Sequence, residues 1–247
     1  MKLTNEEARL SKTTEYWPKA VIDFQRRERI GLEEAVLCSN KQPAQIEEIL
    51  GQYAANERTC FLTRIAPEQV ASLSPSWVAR LDYDPSSRTA FYPEIPPVII
   101  SKPQVAIISG GSSDAPVCAE AARTLAYHGF ASVRIEDVGV AGLWRLLDRL
   151  TEIKRFPVVI IVAGMEGALF SVLAGLVESF VIAVPTSVGY GVAAAGELSL
   201  KAALASCAPG LVAVNIDNGY GAACAALRVL RLLAAGDDRQ SKLDGSI

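Results

Sequence analysis

From Val105 onward the apolar positions fall in short unbroken runs: Val105–Ser109, Ala131–Asp137, Val158–Ala163, Phe180–Val184 and Leu211–Ile216. β-Branched runs of this length, apolar on consecutive positions, predict strands buried on both faces. Between them lie stretches of helical length, Asp114–His128, Ala141–Lys154, Glu166–Val177 and Leu198–Ser206, with a last one over Tyr220–Ala235. Alternating strand and helix predict an α/β fold, a doubly wound parallel sheet covered by helices on both faces. Ligands of such sheets bind at the carboxyl ends of the strands, so the informative residues are those just after each run.

The earlier part of the chain reads differently. Residues 1–104 hold two of the 18 glycines and nine of the 13 prolines. A proline-rich stretch over Tyr92–Pro103 reads as an extended linker between the two compositions. The reading is therefore a smaller α+β domain over residues 1–97, the doubly wound domain over residues 98–236, and a polar, frayed tail over residues 237–247.

Composition narrows the function classes. Half of the 247 residues are apolar, and the formal net charge is −3. That excludes a disordered chain and the basic footprint of a nucleic-acid binder. The longest apolar stretches fall short of the roughly 20 residues a membrane-crossing helix needs. The polar start Met1–Glu7 does not read as a secretory signal, and five scattered cysteines suit reduced thiols, so a cytoplasmic protein is expected. The single histidine, His128, makes any mechanism built on several histidines improbable.

The strand ends carry candidate chemistry. After the first run comes Ser109-Gly110-Gly111-Ser112-Ser113-Asp114, then Pro116 and a helix. Glycines permit close backbone approach, and the helix start offers N–H groups to a phosphate. An ordinary capped helix start, with Ser113 or Asp114 as cap, explains the same residues. The later ends carry Glu136-Asp137, Gly164-Met165-Glu166-Gly167, Pro185-Thr186-Ser187 with Gly189 and Tyr190, and Asn215-Ile216-Asp217. Glu166 also reads as a solvated charge at a helix start. Asp217-Asn218-Gly219 also reads as a plain turn. Five polar strand ends in series point to a composite site for a large phosphorylated ligand. Cys207, in the turn Ser206–Gly210, is the cysteine placed to be reachable, although its position alone also fits a small hydrophobe.

In that order and spacing these motifs, with Asp137–Gly142, Ala163–Leu169, Ala183–Gly191, Ser206-Cys207 and Asn215–Gly221, resemble the LarB family of nickel-pincer nucleotide biosynthesis. The core of that family is similar to the aminoimidazole ribonucleotide carboxylases, the PurE-like, flavodoxin-like sandwiches. The resemblance implies carboxylation of the pyridinium ring of nicotinic acid adenine dinucleotide, with carbon dioxide or bicarbonate as co-substrate. It also implies hydrolysis of the phosphoanhydride, releasing AMP and pyridinium biscarboxylic acid mononucleotide. It assigns the nucleophile to Cys207 and the base to Glu166, whose carboxyl desolvation by neighbouring helix residues would raise, with Asp137 beside them. It places substrate contacts at Ser109, Gly110, Gly111, Ser112, Ser113, Asp114, Arg145, Gly164, Met165, Thr186, Ser187, Gly189 and Tyr190. Magnesium near Asp114 or Asp217 and a homo-octamer are further expectations. Alternatives are a purine-type carboxylase or mutase and a non-catalytic nucleotide-binding homologue.

Three features depart from the family pattern. In the first domain Asp23, Arg26, Arg29, Gly31, Glu34 and Lys41 match it, but Glu33 stands for a proline, and Cys38 and Asn40 for glycines. Trp144 stands where the family usually has histidine, before Arg145. The sequence reading favours this Trp filling the space of the histidine by packing. The alternative is that the histidine assists proton transfer or orients a carboxylate, so that the protein is slower without it.

Overall fold

The computed structural model describes residues 20–94, 97 and 99–244, with side chains described to residue 236. The polar start at Met1–Glu7, part of the linker, and the last three residues of the expected tail lie outside them.

The first domain is a mixed sheet of β1 (Ala35–Leu37), β2 (Cys60–Thr63), β3 (Asp82–Asp84) and β4 (Thr89–Tyr92), in the order β1-β2-β4-β3. Helix α1 (Arg26–Ile30) precedes it, and α2 (Pro43–Ala55) crosses from β1 to its parallel neighbour β2. Ile46, Ile49, Leu50 and Tyr53 recur at helical spacing on α2 and bury against Val36, Cys60 and Leu62. Short helices α3 (Pro67–Ala71) and α4 (Pro75–Val78) each begin at a proline, where the lost N–H has no helical partner anyway.

The second domain is an all-parallel sheet of β5 (Ile100–Ser109), β6 (Phe130–Ile135), β7 (Val158–Ala163), β8 (Phe180–Pro185) and β9 (Val212–Ala213). The order is β6-β5-β7-β8-β9, a doubly wound arrangement. Helices α5 (Ala115–Tyr127) and α9 (Gly219–Asp244) cover one face, packing Cys118, Leu125, Ala222 and Leu227 on Ile107, Ile160 and Ile182. Helices α6 (Leu143–Ile153), α7 (Ala168–Ala174) and α8 (Glu197–Leu204) cover the other with Leu146, Leu169, Phe170 and Ala203. The central strand β7 is buried at every position, as its unbroken apolar run requires.

Most boundaries shift by a few residues from the sequence reading, and four departures bear on the architecture. β5 starts at Ile100, inside the expected linker, because Ile100 pairs with Phe130 before the register breaks and resumes at Val105. β9 shrinks to two residues at the sheet edge. α7 starts at Ala168 because Met165 and Gly167 take left-handed backbone. α9 runs to Asp244, through most of the segment expected as a frayed tail.

The two sheets are joined by rings. Phe91 stacks on Tyr127 at 5.9 Å and 9°, and Phe61 lies 5.3 Å from Tyr127 and 6.2 Å from Tyr220. Arg123 of α5 sits over Phe91 at 4.1 Å and donates to Thr89 and Asp82. The buried Glu120 carboxylate accepts from Thr63 of β2. No helix among the described residues is long and apolar enough to cross a membrane.

Candidate active site at the carboxyl end of the sheet

Three strand-end loops wall a pocket of about 460 Å³: Gly110–Asp114 after β5, Asp137–Arg145 after β6, and Gly164–Leu169 after β7, with Val188 closing one side. That volume lies within the usual range for small-molecule sites.

The first loop is built around Asp114. Its Oδ2 accepts from the Gly111 N–H at 2.9 Å, and its Oδ1 accepts from the Thr186 hydroxyl at 2.7 Å. Burial pushes the Asp114 carboxyl up, against the two hydrogen bonds that hold it down, and the charge of Asp217 raises it further. The carboxylate thus braces the loop that leads into α5. It caps none of that helix's own first N–H groups, which corrects the reading of Asp114 as a helix cap. Ser112 and Ser113 stay exposed on the outer side of the loop. A Cβ at Gly111 would meet only Asp114 Oδ2 at 3.7 Å, so the backbone there faces open space.

In the second loop Asp137 takes a positive φ of 58°, its N–H donating to Ser109 Oγ at 3.0 Å and its carboxylate pairing with Arg145. Gly139 packs so tightly on the first loop that a Cβ would lie 2.5 Å from the Gly110 carbonyl. In the third loop Met165 has φ 49° and its N–H donates to the Val188 carbonyl at 2.8 Å. Such left-handed backbone costs a non-glycine residue about 1–3 kcal/mol and persists where the surroundings enforce it. Of seven such residues in the described chain, Asp137 and Met165 line this pocket, and Arg64, Arg88 and Asp217 line a neighbouring cleft.

The pocket therefore brings together Gly110, Gly111, Ser112, Ser113, Asp114, Asp137, Arg145, Gly164, Met165 and Glu166. Other expected contacts fall elsewhere. Ser109 and Thr186 are fully buried, and their hydroxyls hold Asp137 and Asp114 instead of facing a ligand. Gly189 packs against the Ala193 carbonyl, and Tyr190 is 77% exposed outside the lining. Ser187 lies in the neighbouring cleft, its N–H donating to Asp217 Oδ1 at 2.8 Å. Glu166 is exposed at the rim and lacks the apolar enclosure expected of it. Cys207 is exposed and outside the lining; a 2.7 Å contact between Ser206 Oγ and Ser171 Oγ holds it beside α7, whose first turn lines the pocket. Trp144 is 67% exposed, which corrects the expectation that it packs in place of a histidine.

Magnesium keeps several waters and needs only one or two protein carboxylates beside phosphate oxygens. Asp114 and Asp217 fit that limited role, each Asp114 oxygen retaining a free lone pair. Among the described residues no group of three His, Cys, Asp or Glu side chains forms a self-sufficient metal cage.

Residues 14–94 match the model of the LarB/PurE-like N-terminal domain, and residues 104–243 match that of AIR carboxylase. The chain belongs to the LarB family. A LarB-family core of PurE type is what the sheet order and strand-end loops describe. An uncharacterised protein of Methanocaldococcus jannaschii is 46% identical over 121 residues, covering 48% of this LarB-family chain and 46% of the relative. The chain thus aligns with about half the length of that relative.

Sequence reasoning missed Arg64, Arg88 and Glu120. The first two sit on left-handed backbone no residue pattern announces. Glu120 had a signal, a lone acid among alanines in Ala119-Glu120-Ala121-Ala122.

Proposed function

We propose that the protein carboxylates the pyridinium ring of nicotinic acid adenine dinucleotide and hydrolyses its phosphoanhydride, releasing AMP and pyridinium biscarboxylic acid mononucleotide. The observation that carries this reading is the convergence of an anion cradle, Gly110–Ser113, with Glu166 and the Asp137–Arg145 pair on one mononucleotide-sized pocket. Against a purine-type reaction, the only histidine lies outside that lining and burial holds its pKa down near about 4.

The electron-poor ring cannot attack carbon dioxide by itself. Addition of the Cys207 thiolate forms a carbon–sulfur bond and sends a ring electron pair to the nitrogen, leaving an enamine carbon that is nucleophilic. That carbon bonds to carbon dioxide. Glu166 then removes the proton from the same carbon, the electron pair re-forms the ring double bond, and the thiolate departs. Cys207 lies outside its own chain's pocket, so in this reading it serves the pocket of a neighbouring copy in the expected octamer. For hydrolysis, water adds to the phosphorus of the mononucleotide half, and the anhydride P–O bond breaks with its electron pair on the departing AMP oxygen. The protons of the water pass to the product phosphates and to solvent. Arg145 and the N–H groups at the start of α5 balance phosphate charge. Magnesium held by Asp114 and Asp217 would supply further charge neutralisation there.

The test is incubation with nicotinic acid adenine dinucleotide, bicarbonate and magnesium, with mass spectrometry for AMP and the biscarboxylated mononucleotide. Absence of both from an intact, nucleotide-binding preparation sinks the reading. Co-refolding Cys207→Ser with Glu166→Gln should restore part of the activity if two copies share one site, and none if each chain is self-contained.

A further inference from the structure

Between the two sheets lies a second cleft, larger than the pocket at about 790 Å³, whose basic side chains the carboxylase chemistry leaves unused. Lys41, Arg64 and Arg88 line it, all from the first domain, and none of the three has an ion-pair partner among the described residues. Its two carboxylates are already engaged. Glu120 accepts from Thr63 and from the Tyr220 N–H at 3.1 Å, and Asp217 accepts from the Ser187 N–H.

The backbone fixes these cations in place. Arg64 and Arg88 take positive φ values of 54° and 52°, on adjacent loops tied by the Ile65 N–H donating to the Arg88 carbonyl at 2.9 Å. Arg64 Nη2 donates to the Asp217 carbonyl at 2.7 Å, anchoring it to the second domain. Gln69 Nε2 donates to the carbonyls of both Cys38 and Lys41 at 2.8 Å, clamping the turn that bears Lys41. Among the described residues Lys41 and Arg88 have no ion-pair partner, and Arg64 feels the Glu120 charge without pairing with it. Three cations on a braced frame thus suit a multiply charged anion, since guanidinium and ammonium groups both bind phosphate strongly.

Pocket and cleft meet. Ser113 and Val188 line both. We propose that the cleft binds the nucleoside monophosphate half of the dinucleotide, with Lys41, Arg64 and Arg88 on its phosphate and the anhydride spanning the junction at Ser113. This deepens the proposed function and rests on it for the identity of the other half. The first domain is then the binding site of the departing nucleotide, and the second domain holds the ring.

Calorimetric titration of the full chain with AMP tests the assignment. Lys41→Ala and Arg88→Gln should each weaken AMP binding at least fivefold, the double variant at least twentyfold, and Lys154→Gln, exposed on the far domain, should not. Nicotinic acid mononucleotide should bind all variants equally. On wild-type protein, AMP should suppress acetylation of Lys41 by an activated ester, read by mass spectrometry, which covers variants that fail to fold. Unchanged AMP affinity in folded variants, or unprotected Lys41, overturns the proposal. If AMP binding falls as stated while no carboxylated product ever forms, the cleft assignment stands and the substrate reading fails.

Discussion

Thr186 Oγ1 donates to Asp114 Oδ1 at 2.7 Å, joining the end of β8 to the turn that opens α5 across 72 positions of sequence. Both groups are buried, so the bond holds the anion cradle in shape where water cannot substitute. Thr186→Val should leave an acceptor without its donor and cost about 1–3 kcal/mol. Urea unfolding should show the lower midpoint at unchanged slope. Thr186→Ser, which keeps the hydroxyl, should restore most of it.

Two glycines of the same site separate ligand space from packing space. At Gly111 a side chain would enter the open front of the loop, whereas at Gly139 it would strike the Gly110 carbonyl. Gly111→Val should therefore keep the melting temperature within a few degrees while raising KM for the dinucleotide at least tenfold. Gly139→Val should lower the melting temperature sharply. A crystal grown with nicotinic acid mononucleotide or phosphate should hold an anion on the Gly110–Ser113 backbone.

Thiol chemistry should single out one cysteine. Burial pushes the Cys38 thiol up to about 12 and Cys224 to about 11, and holds Cys60 and Cys118 high as well, while Cys207 is exposed. One fast-reacting thiol per native chain is expected with a disulfide reagent, lost in Cys207→Ser. Bound dinucleotide should slow it. Cys207→Ser should also abolish carboxylation, whereas alanine at the other four positions should cost less than about tenfold in rate, since none of them is exposed.

His128 makes acid lability measurable. Burial first, then the charges of Arg231 and Arg27, push its pKa from the ordinary 6.5 down to about 4. The unfolded chain therefore binds the proton more readily than the folded one. Stability is fully present above about pH 6.5 and falls as pH drops toward about 4, by up to about 3 kcal/mol. Denaturation of wild type and His128→Gln across pH 7 to 4 should show a shallower decline in the variant. Parallel curves would mean that His128 titrates freely.

Trp144→His should cost little stability, because the Trp ring is mostly exposed in the chain. Melting temperatures within about 2 °C of each other are expected. A tenfold or greater gain in turnover would show that the natural sequence lacks a proton-transfer group at this position, since such groups contribute about 100-fold or more.

The doubly wound sheet was legible because its strands are continuous apolar runs with no other good solution than burial on both faces. Val158–Ala163 matched residue for residue. The pocket followed from topology, since the ends of parallel strands converge wherever the loops carry polar residues. What the sequence hid was which polar groups turn inward. Ser109 and Thr186 read as ligand contacts because hydroxyls beside glycines look alike whether they face a phosphate or a neighbouring backbone. Glu166 read as enclosed because its neighbours are apolar, yet they face the sheet while it points outward. Nor does a sequence pattern announce the left-handed backbone at Arg64 and Arg88, which is set by loops meeting across two domains.

The ring seam formed by Phe61, Phe91, Tyr127 and Tyr220 has a kinetic consequence. Swinging the sheets apart would wet four aromatic faces and strip Thr63 from the buried Glu120 carboxylate, so a hinged clamp is energetically disfavoured. The space between the domains is a rigid slot. Its contents enter and leave past the surface turns at its mouth, without domain opening. Residence time is then governed by how firmly the anchored cations hold an anion, and salt should shorten it without any change in the shape of the molecule.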